Sequence, residues 1–236
     1  MLSRRAFVGV SGLVVLASRA ARAEGRVPDM LDHILLGCRN LDEGIALVER
    51  QTGVRAAIGG VHPGIGTRNA LLSLGVRHYL EIIAPDPAQA DVPASAAGRL
   101  TQLQSLQAPR LIEWAAHVTD IETLATSLRA QGVAIEGPRP GSRQRPDGRL
   151  LQWKTLGLAD DRHGGLPFFI EWSAGSAHPS VDAPQGCRLE DFAAVDPDPA
   201  ALSSLIRRLG LDLVVRSGAP GLVARIVGRT GTMKLH

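Results

Sequence analysis

Two glutamates stand inside apolar runs: Glu81 in His78-Tyr-Leu-Glu-Ile-Ile-Ala84 and Glu171 in Leu166-Pro-Phe-Phe-Ile-Glu-Trp172. Burying an unpaired carboxylate is costly, so each needs a partner, a metal ion or an arginine. His33 lies on another apolar stretch, 31–39, as either a hydrogen-bonded strand residue or a ligand. His62 follows Gly59-Gly60-Val61 and precedes Pro63-Gly64-Ile65-Gly66, with Thr67, Arg68 and Asn69 next. Glycines allow close backbone approach, so His62, Thr67, Arg68 and Asn69 would either line the rim of a substrate cleft or build the turn itself. Residues 138–149 carry Arg139, Arg143, Arg145 and Arg149. They read as a clamp for a carboxylate or phosphate, or as a solvated hairpin loop. His163 has no second ligand at helical or strand spacing and reads as loop. Nucleophile elbows, phosphate loops, dinucleotide fingerprints and Cys-x-x-Cys pairs are all missing from the chain.

The elements that would position these groups repeat along the chain. A strand over 31–39 is followed by a helix with Ile45, Ala46 and Val48 on one side, closed by Gly53. A strand over 111–118, a helix opened by Asp120 and closed by Gly132, repeat the pattern; so do a strand over 189–195 and a helix opened by Asp196 or Asp198 and closed by Gly210. The closing glycines lie 79 and 78 residues apart. Three strands then complete each unit: 54–58, 69–75 and 78–84; 133–136, 149–157 and 166–172; 211–216, 221–228 and 231–235. Each unit reads βαβββ. The connector over 86–109 predicts a short helix bearing Leu100, Leu103 and Leu106, and 174–187 is a second connector. Cys38 is an odd number of residues from His33, on the opposite strand face.

The chain of 236 residues is 44% hydrophobic and 21% charged, as a folded globular protein is. Aromatics at 3% leave little for stacking on nucleic-acid bases, and two cysteines exclude a disulfide-dense scaffold and a Cys-only zinc site. The net charge of +3 is carried by the N-terminus. Residues 1–23 combine Arg4-Arg5, a short apolar run and Ala21-Arg22-Ala23, the pattern of a cleavable export signal of twin-arginine type. Its removal takes four arginines and no acid, so 26 basic against 23 acidic residues becomes 22 against 23, a net charge of −1. The expected product is exported, periplasmic or secreted, with no nucleic-acid partner and no membrane segment after cleavage. Cys38 and Cys187 would then meet an oxidising compartment, where a bridge is open to them.

Tandem βαβββ units resemble the vicinal-oxygen-chelate superfamily. The stretch Leu31-Asp32-His33 through Asn40-Leu41-Asp42, the run from Gly59-Gly60-x-His62 to Asn69, and Tyr79-Leu80-Glu81 are similar to its glyoxalase-like-domain proteins; Pro167 to Trp172 is similar to the end of their second module. The likeness covers 29–236. It implies an α+β fold of tandem βαβββ modules, the fold shared by glyoxalases, bleomycin-resistance proteins and dihydroxybiphenyl dioxygenases, closing a curved sheet around a cleft. The boundaries are 29–88 and 110–174, with a connector at 89–109 and a third C-terminal βαβββ-like module at 186–236.

The resemblance also implies a divalent metal, Zn, Mn, Ni, Fe(II) or Mg, held by the first and last strand of each module. That assigns His33, Glu81, Glu113 and Glu171 as ligands, with Glu113 seven residues before Asp120 as His33 is before Asn40. The family's usual residue at 113 is His, and Arg110 offers Glu113 a plain ion pair. Such a metal would polarise a carbonyl or gather two adjacent oxygens and leave Glu81 or Glu171 as catalytic base. The third unit has Leu189 and an acid-free last strand at the matching positions, and reads as a packing unit that covers a sheet edge or forms an oligomer contact. The expected protein is a metal-dependent lyase, isomerase or dioxygenase acting on a small oxygenated substrate, with a homodimer open to it. The alternatives are a metal-free binding or sequestering protein of the same fold, and an interaction module with a vestigial cleft.

Overall fold

The structure, a computed structural model, describes residues 26–89, 91–145 and 147–236. The leader expected over 1–23 lies outside them. The first module runs β1 (Leu31–Gly37), α1 (Leu41–Thr52), β2 (Ala57–His62), β3 (Thr67–Gly75) and β4 (His78–Pro85). After α2 (Ala94–Ser105) the second runs β5 (Arg110–His117), α3 (Ile121–Ala130), β6 (Ile135–Gln144), β7 (Leu150–Leu158) and β8 (Phe168–Trp172). A short α4 (Pro179–Asp182) leads to β9 (Arg188–Asp196), α5 (Pro199–Arg208), β10 (Val214–Ser217), β11 (Gly221–Val227) and β12 (Thr232–Leu235). The expected order of elements is present three times.

Local chemistry sets the helix ends. Asn40 accepts from the backbone N–H groups of Asp42 and Glu43 at the start of α1; Asp120 and Asp198 do the same for Thr123 and Ala201 in α3 and α5. Gly53, Gly132 and Gly210 take left-handed φ values of 71°, 73° and 73° just past the three helices, which accounts for their even spacing.

Eight strands form one curled sheet in the order β2-β3-β4-β1-β5-β8-β7-β6. In each module the last strand lies parallel to the first, and β1 and β5 join the halves antiparallel. The edge strands β2 and β6 approach one another at a seam, where the Arg143 guanidinium donates to the Gly59 carbonyl. A Cβ on Gly60 would lie 2.7 Å from the Gln144 carbonyl oxygen, so the seam closes only over glycine. β6 also corrects an expectation: the strand continues to Gln144 through Pro138 and Pro140, read from sequence as loop. An edge strand tolerates proline because its outward N–H groups have no ladder to join.

The third unit keeps the βαβββ order but not the pairing. Its four strands lie β10-β9-β11-β12, so the second strand, not the last, runs parallel to the first. It packs on the face opposite the curl, where Trp114 meets Phe192 edge-on at 5.6 Å and Leu202 and Ile226 join the core of β1, β5 and α1. It therefore backs the sheet rather than covering one of its edges. Cys38 is buried on this same side and Cys187 beneath the third unit; both are free thiols. No described helix is long and apolar enough to cross a membrane.

Candidate functional site

Strand alternation decides which side chains enter the curl. From the first module, His33 and Leu35 on β1, Tyr79, Glu81 and Ile83 on β4, and Thr67 and Asn69 on β3 line a cavity of ≈ 550 Å³. From the second come Trp153 and Thr155 on β7, Phe168, Ile170 and Trp172 on β8, and Arg139 and Arg143 on β6. Helix α2 closes one end: Leu103 and the following Leu106 pack on Leu35, Ile83 and Ile112.

Glu81 is the focus of the polar side. The Asn69 side-chain amide donates to its Oε1 at 2.7 Å, and His33 Nε2 lies 3.4 Å from its Oε2. His62 Nε2 is 3.7 Å from Oε1 and 3.3 Å from the Asn69 nitrogen, while its Nδ1 is 2.8 Å from the Thr67 hydroxyl. Burial lowers the His62 pKa and favours the neutral ring. A neutral His62 donates from Nδ1 to Thr67 and accepts at Nε2 from Asn69, and the buried Asn69 Oδ1 is left without a partner. For Glu81, burial pulls the pKa upward. The facing His62 and His33, the Asn69 hydrogen bond and the Arg143 charge together outweigh it, and the carboxyl stays below its usual range, ionised.

His33 is oriented from behind. Its Nδ1 is 2.7 Å from Asp32 Oδ1, and Asp32 has no solvent exposure. Trp172 Nε1 donates to the other Asp32 oxygen at 3.0 Å, and His178 Nε2 lies 3.2 Å from it. Burial opposes the Asp32 charge, but the hydrogen bonds from His178 and His33 hold its pKa well below the ordinary carboxylate range. An ionised Asp32 fixes the proton on His33 Nδ1 and leaves Nε2 facing Glu81. Tyr79 stacks on the His33 ring at 4.4 Å; its phenol, pushed up by burial and then by Asp32 and Glu81, remains neutral.

The four residues assigned as ligands do not come together. Only His33 and Glu81 meet. Glu113 lines the cavity but is held by Arg99 of α2 at 2.5 Å, not by Arg110. Glu171 lies between the cavity-lining Ile170 and Trp172 and so faces the other way, where its Oε2 accepts the Ile121 N–H at the start of α3 at 2.8 Å. It completes a helix end, as an acid near an N-terminus does. Pairing register shows why the assignment misses: Glu81 pairs with Leu35, two residues after His33, and the residue that pairs with Ala115, two after Glu113, is Phe168. Among the described residues no three His, Cys, Asp or Glu side chains are grouped to hold a metal ion. With Arg143 lining the same cavity as Glu81 and Arg99 paired with Glu113, this donor set does not fit a divalent cation.

The residues expected at the rim divide by the same alternation. β2 runs to His62 and β3 starts at Thr67, so the loop shrinks to the four residues between them. His62, Thr67 and Asn69 reach the cavity, whereas Arg68 falls on the opposite face. Of the four arginines in 138–149, Arg139 and Arg143 line the cavity, and Arg145 and Arg149 are paired outside it with Asp182 and Asp147.

A family model described as "Glyoxalase-like domain" matches residues 31–210, both modules and the start of the third unit. The chain belongs to the glyoxalase-like domain family. Its fold is that of the vicinal-oxygen-chelate superfamily, as the tandem modules imply. Among solved structures, a hypothetical protein from Staphylococcus aureus is similar in fold, with a TM-score of 0.59 at 17% identity over 87% of this chain and 85% of that one. Methylmalonyl-CoA epimerases also match: that of Streptomyces coelicolor with a TM-score of 0.45 at 21% identity over 64% of this chain and 99% of that one. The epimerase of Mycobacterium tuberculosis gives 0.43 at 20% identity, over 60% and 85%. No curated protein matches the chain.

Sequence reasoning passed over Asp32, Tyr79, Arg99, Trp153, Trp172 and His178 as site residues. Asp32 carried a signal, an acid inside a strand that proves buried on both faces. Arg99 and His178 carried none, because both come from connectors whose paths no periodicity reveals.

Proposed function

We propose that this glyoxalase-like protein is an exported enzyme that moves a proton on a small oxygenated substrate, with Glu81 as the general base. The observation that carries the reading is the placement of Glu81: buried, facing an open cavity, and bracketed by His33 and His62. A general base must be deprotonated and within reach of the substrate's proton. The substrate proton passes to Glu81; His33, whose Nε2 faces that carboxylate, is placed to relay it. The reaction class is isomerase or lyase. The donor set favours a route in which protein side chains, not a bound ion, supply the charge. Export rests on the residue pattern over 1–23, and N-terminal sequencing of the protein recovered outside the cytoplasm should begin at Glu24.

The test does not need the natural substrate. A panel of small ketones and 2-oxo acids is incubated with the protein in heavy water, and exchange at the carbon beside the carbonyl is followed by NMR. Exchange by the wild type that survives a chelator and is lost in Glu81→Gln supports the reading. Exchange lost with the chelator and restored by Zn or Mn would overturn the ion-free route. No exchange, together with binding of panel members by the wild type, would favour sequestration, which the aromatic wall of Trp153, Trp172 and Phe168 also suits.

A further inference from the structure

Arg143 is 4% exposed, yet it has only one hydrogen-bond partner among the described residues, the Gly59 carbonyl across the seam. A guanidinium carries five N–H donors, and no Arg143 nitrogen is among the fully enclosed side-chain atoms left without a partner, so its remaining donors open on accessible space at the cavity. The side chain lines the same cavity as Glu81 but forms no direct ion pair with it. Two opposite buried charges that share a cavity without touching leave room for a group that one can hold and the other can deprotonate. The remaining neighbours narrow that group. Trp153 and Trp172 lie 5.4 Å apart, centroid to centroid, with their planes tilted by 57°, and with Phe168 they line the second module's side of the cavity with aromatic surface.

We propose that Arg143 is a catalytic residue that binds the substrate's carbonyl oxygen, and that the substrate is a carbonyl compound with an apolar body packed against the tryptophans. This rests on the reading of Glu81 as base. The step balances without a co-reactant. Glu81 takes a proton from the carbon beside the carbonyl. The C–H electron pair becomes the new C=C bond, and the carbonyl π pair moves to oxygen, giving an enolate that the Arg143 N–H groups hold. Return of the proton to that carbon, from either face, lets the oxygen pair re-form the carbonyl. A preorganised cation at the oxygen whose charge grows is the usual source of the largest catalytic term.

Para-nitrophenol tests the assignment: its body is an aromatic ring, its oxygen ionises near neutral pH, and its phenolate is yellow. Glu81→Gln protein imitates the site after the base has been protonated, and removes the anion that would repel the probe. The expected result is that this variant binds the probe as phenolate at a pH where free probe is mostly phenol. Arg143→Gln in the same background should bind it about tenfold more weakly or worse and lose the yellow shift, with Arg143→Lys between the two. Arg145→Gln, a charge removed outside the cavity, should leave the shift intact. A probe bound as neutral phenol by Glu81→Gln protein overturns the proposal without any Arg143 variant, which covers the case in which loss of the seam bond unfolds the chain. A shift that survives in folded Arg143→Gln protein, or no binding at all, overturns it too. Failure here alongside heavy-water exchange that depends on Glu81 would sink the role of Arg143 alone. A phenolate shift without such exchange would instead sink the base.

Discussion

The two halves of the curled sheet share their order of elements and their pairing, and differ in what they show the cavity. Register makes Glu81 equivalent to Phe168. It likewise matches Asn69 with Thr155, through their pairing with Ile83 and Ile170, and Thr67 with Trp153 two residues earlier. The first half thus presents a carboxylate, an amide and a hydroxyl where the second presents two aromatic rings and one hydroxyl. Duplication of a scaffold does not require duplication of its chemistry. On the proposed reading one half holds the reacting atoms, and the other shapes the body of the ligand while lending Arg143 across the seam. The contrast also separates the two acids that sequence treats alike, one facing the cavity and one facing the helices.

That separation has the largest consequence. Glu81→Gln should slow exchange in heavy water by about a hundredfold or more, the scale of a lost general base, without loss of folding. Glu171→Ala should leave exchange unchanged and lower the unfolding free energy in urea by about 1 kcal/mol, because the Ile121 N–H at the start of α3 loses its acceptor. A drop in exchange for Glu171→Ala would mean that the halves share their chemistry after all.

Trp172 is the point at which the aromatic half supports the polar one, since its indole N–H donates to Asp32 behind His33. Trp172→Phe keeps the wall and removes that donor. Urea unfolding should show a loss of about 1–3 kcal/mol, the cost of a buried carboxylate short of one hydrogen bond. A neutral result would mean that His33 and His178 alone satisfy Asp32.

A smaller effect follows from pH. His62 is a base whose folded pKa lies below its ordinary 6.5, so the unfolded chain binds the proton first and stability declines as pH drops below that value. Asp32 has a folded pKa below its ordinary 3.8; its contribution is complete above that value and fades as pH falls further. Melting temperature against pH should therefore fall in two stages on the acid side. His62→Gln should shrink the upper stage, to which His78 also contributes, and Asp32→Asn the lower, to which Glu81 also contributes.

The fold was legible because its signals are local: capping residues, left-handed glycines and alternation within strands. The site was half legible for the same reason. His33 and Glu81 meet because the parallel pairing of β1 with β4 brings matched positions together. Glu171 was misread because parity depends on where a strand starts and how it pairs, and a shift of one residue exchanges its faces. His62 and Thr67 looked like loop because the glycines around them are also what β2 needs to pass close to β6. Arg143 stood among four arginines that read as an anion clamp or as a solvated loop, and only the closure of the sheet buries it. The third unit shows the limit most plainly, since an identical order of elements was wired into a different sheet.

The smallest effect concerns the back of the sheet, opposite the cavity. Cys38 packs against Gly44 near the start of α1, and Cys187 lies by Thr52 at its end. Eight residues of helix separate those neighbours by about 12 Å, whereas bridged cysteines have Cα atoms within about 7 Å. The two thiols therefore stay apart even in an oxidising compartment, and burial protects them individually. It pushes the Cys38 thiol up to about 12 and raises that of Cys187, so little reactive thiolate is present at neutral pH. Native protein should show two free thiols by mass spectrometry without reductant, and alkylation should reach the less deeply buried Cys187 first. Exchange activity should be the same with and without reductant, because neither thiol touches the cavity. A disulfide in the native protein would require α1 to sit differently against the third unit, and with it the strand that carries His33.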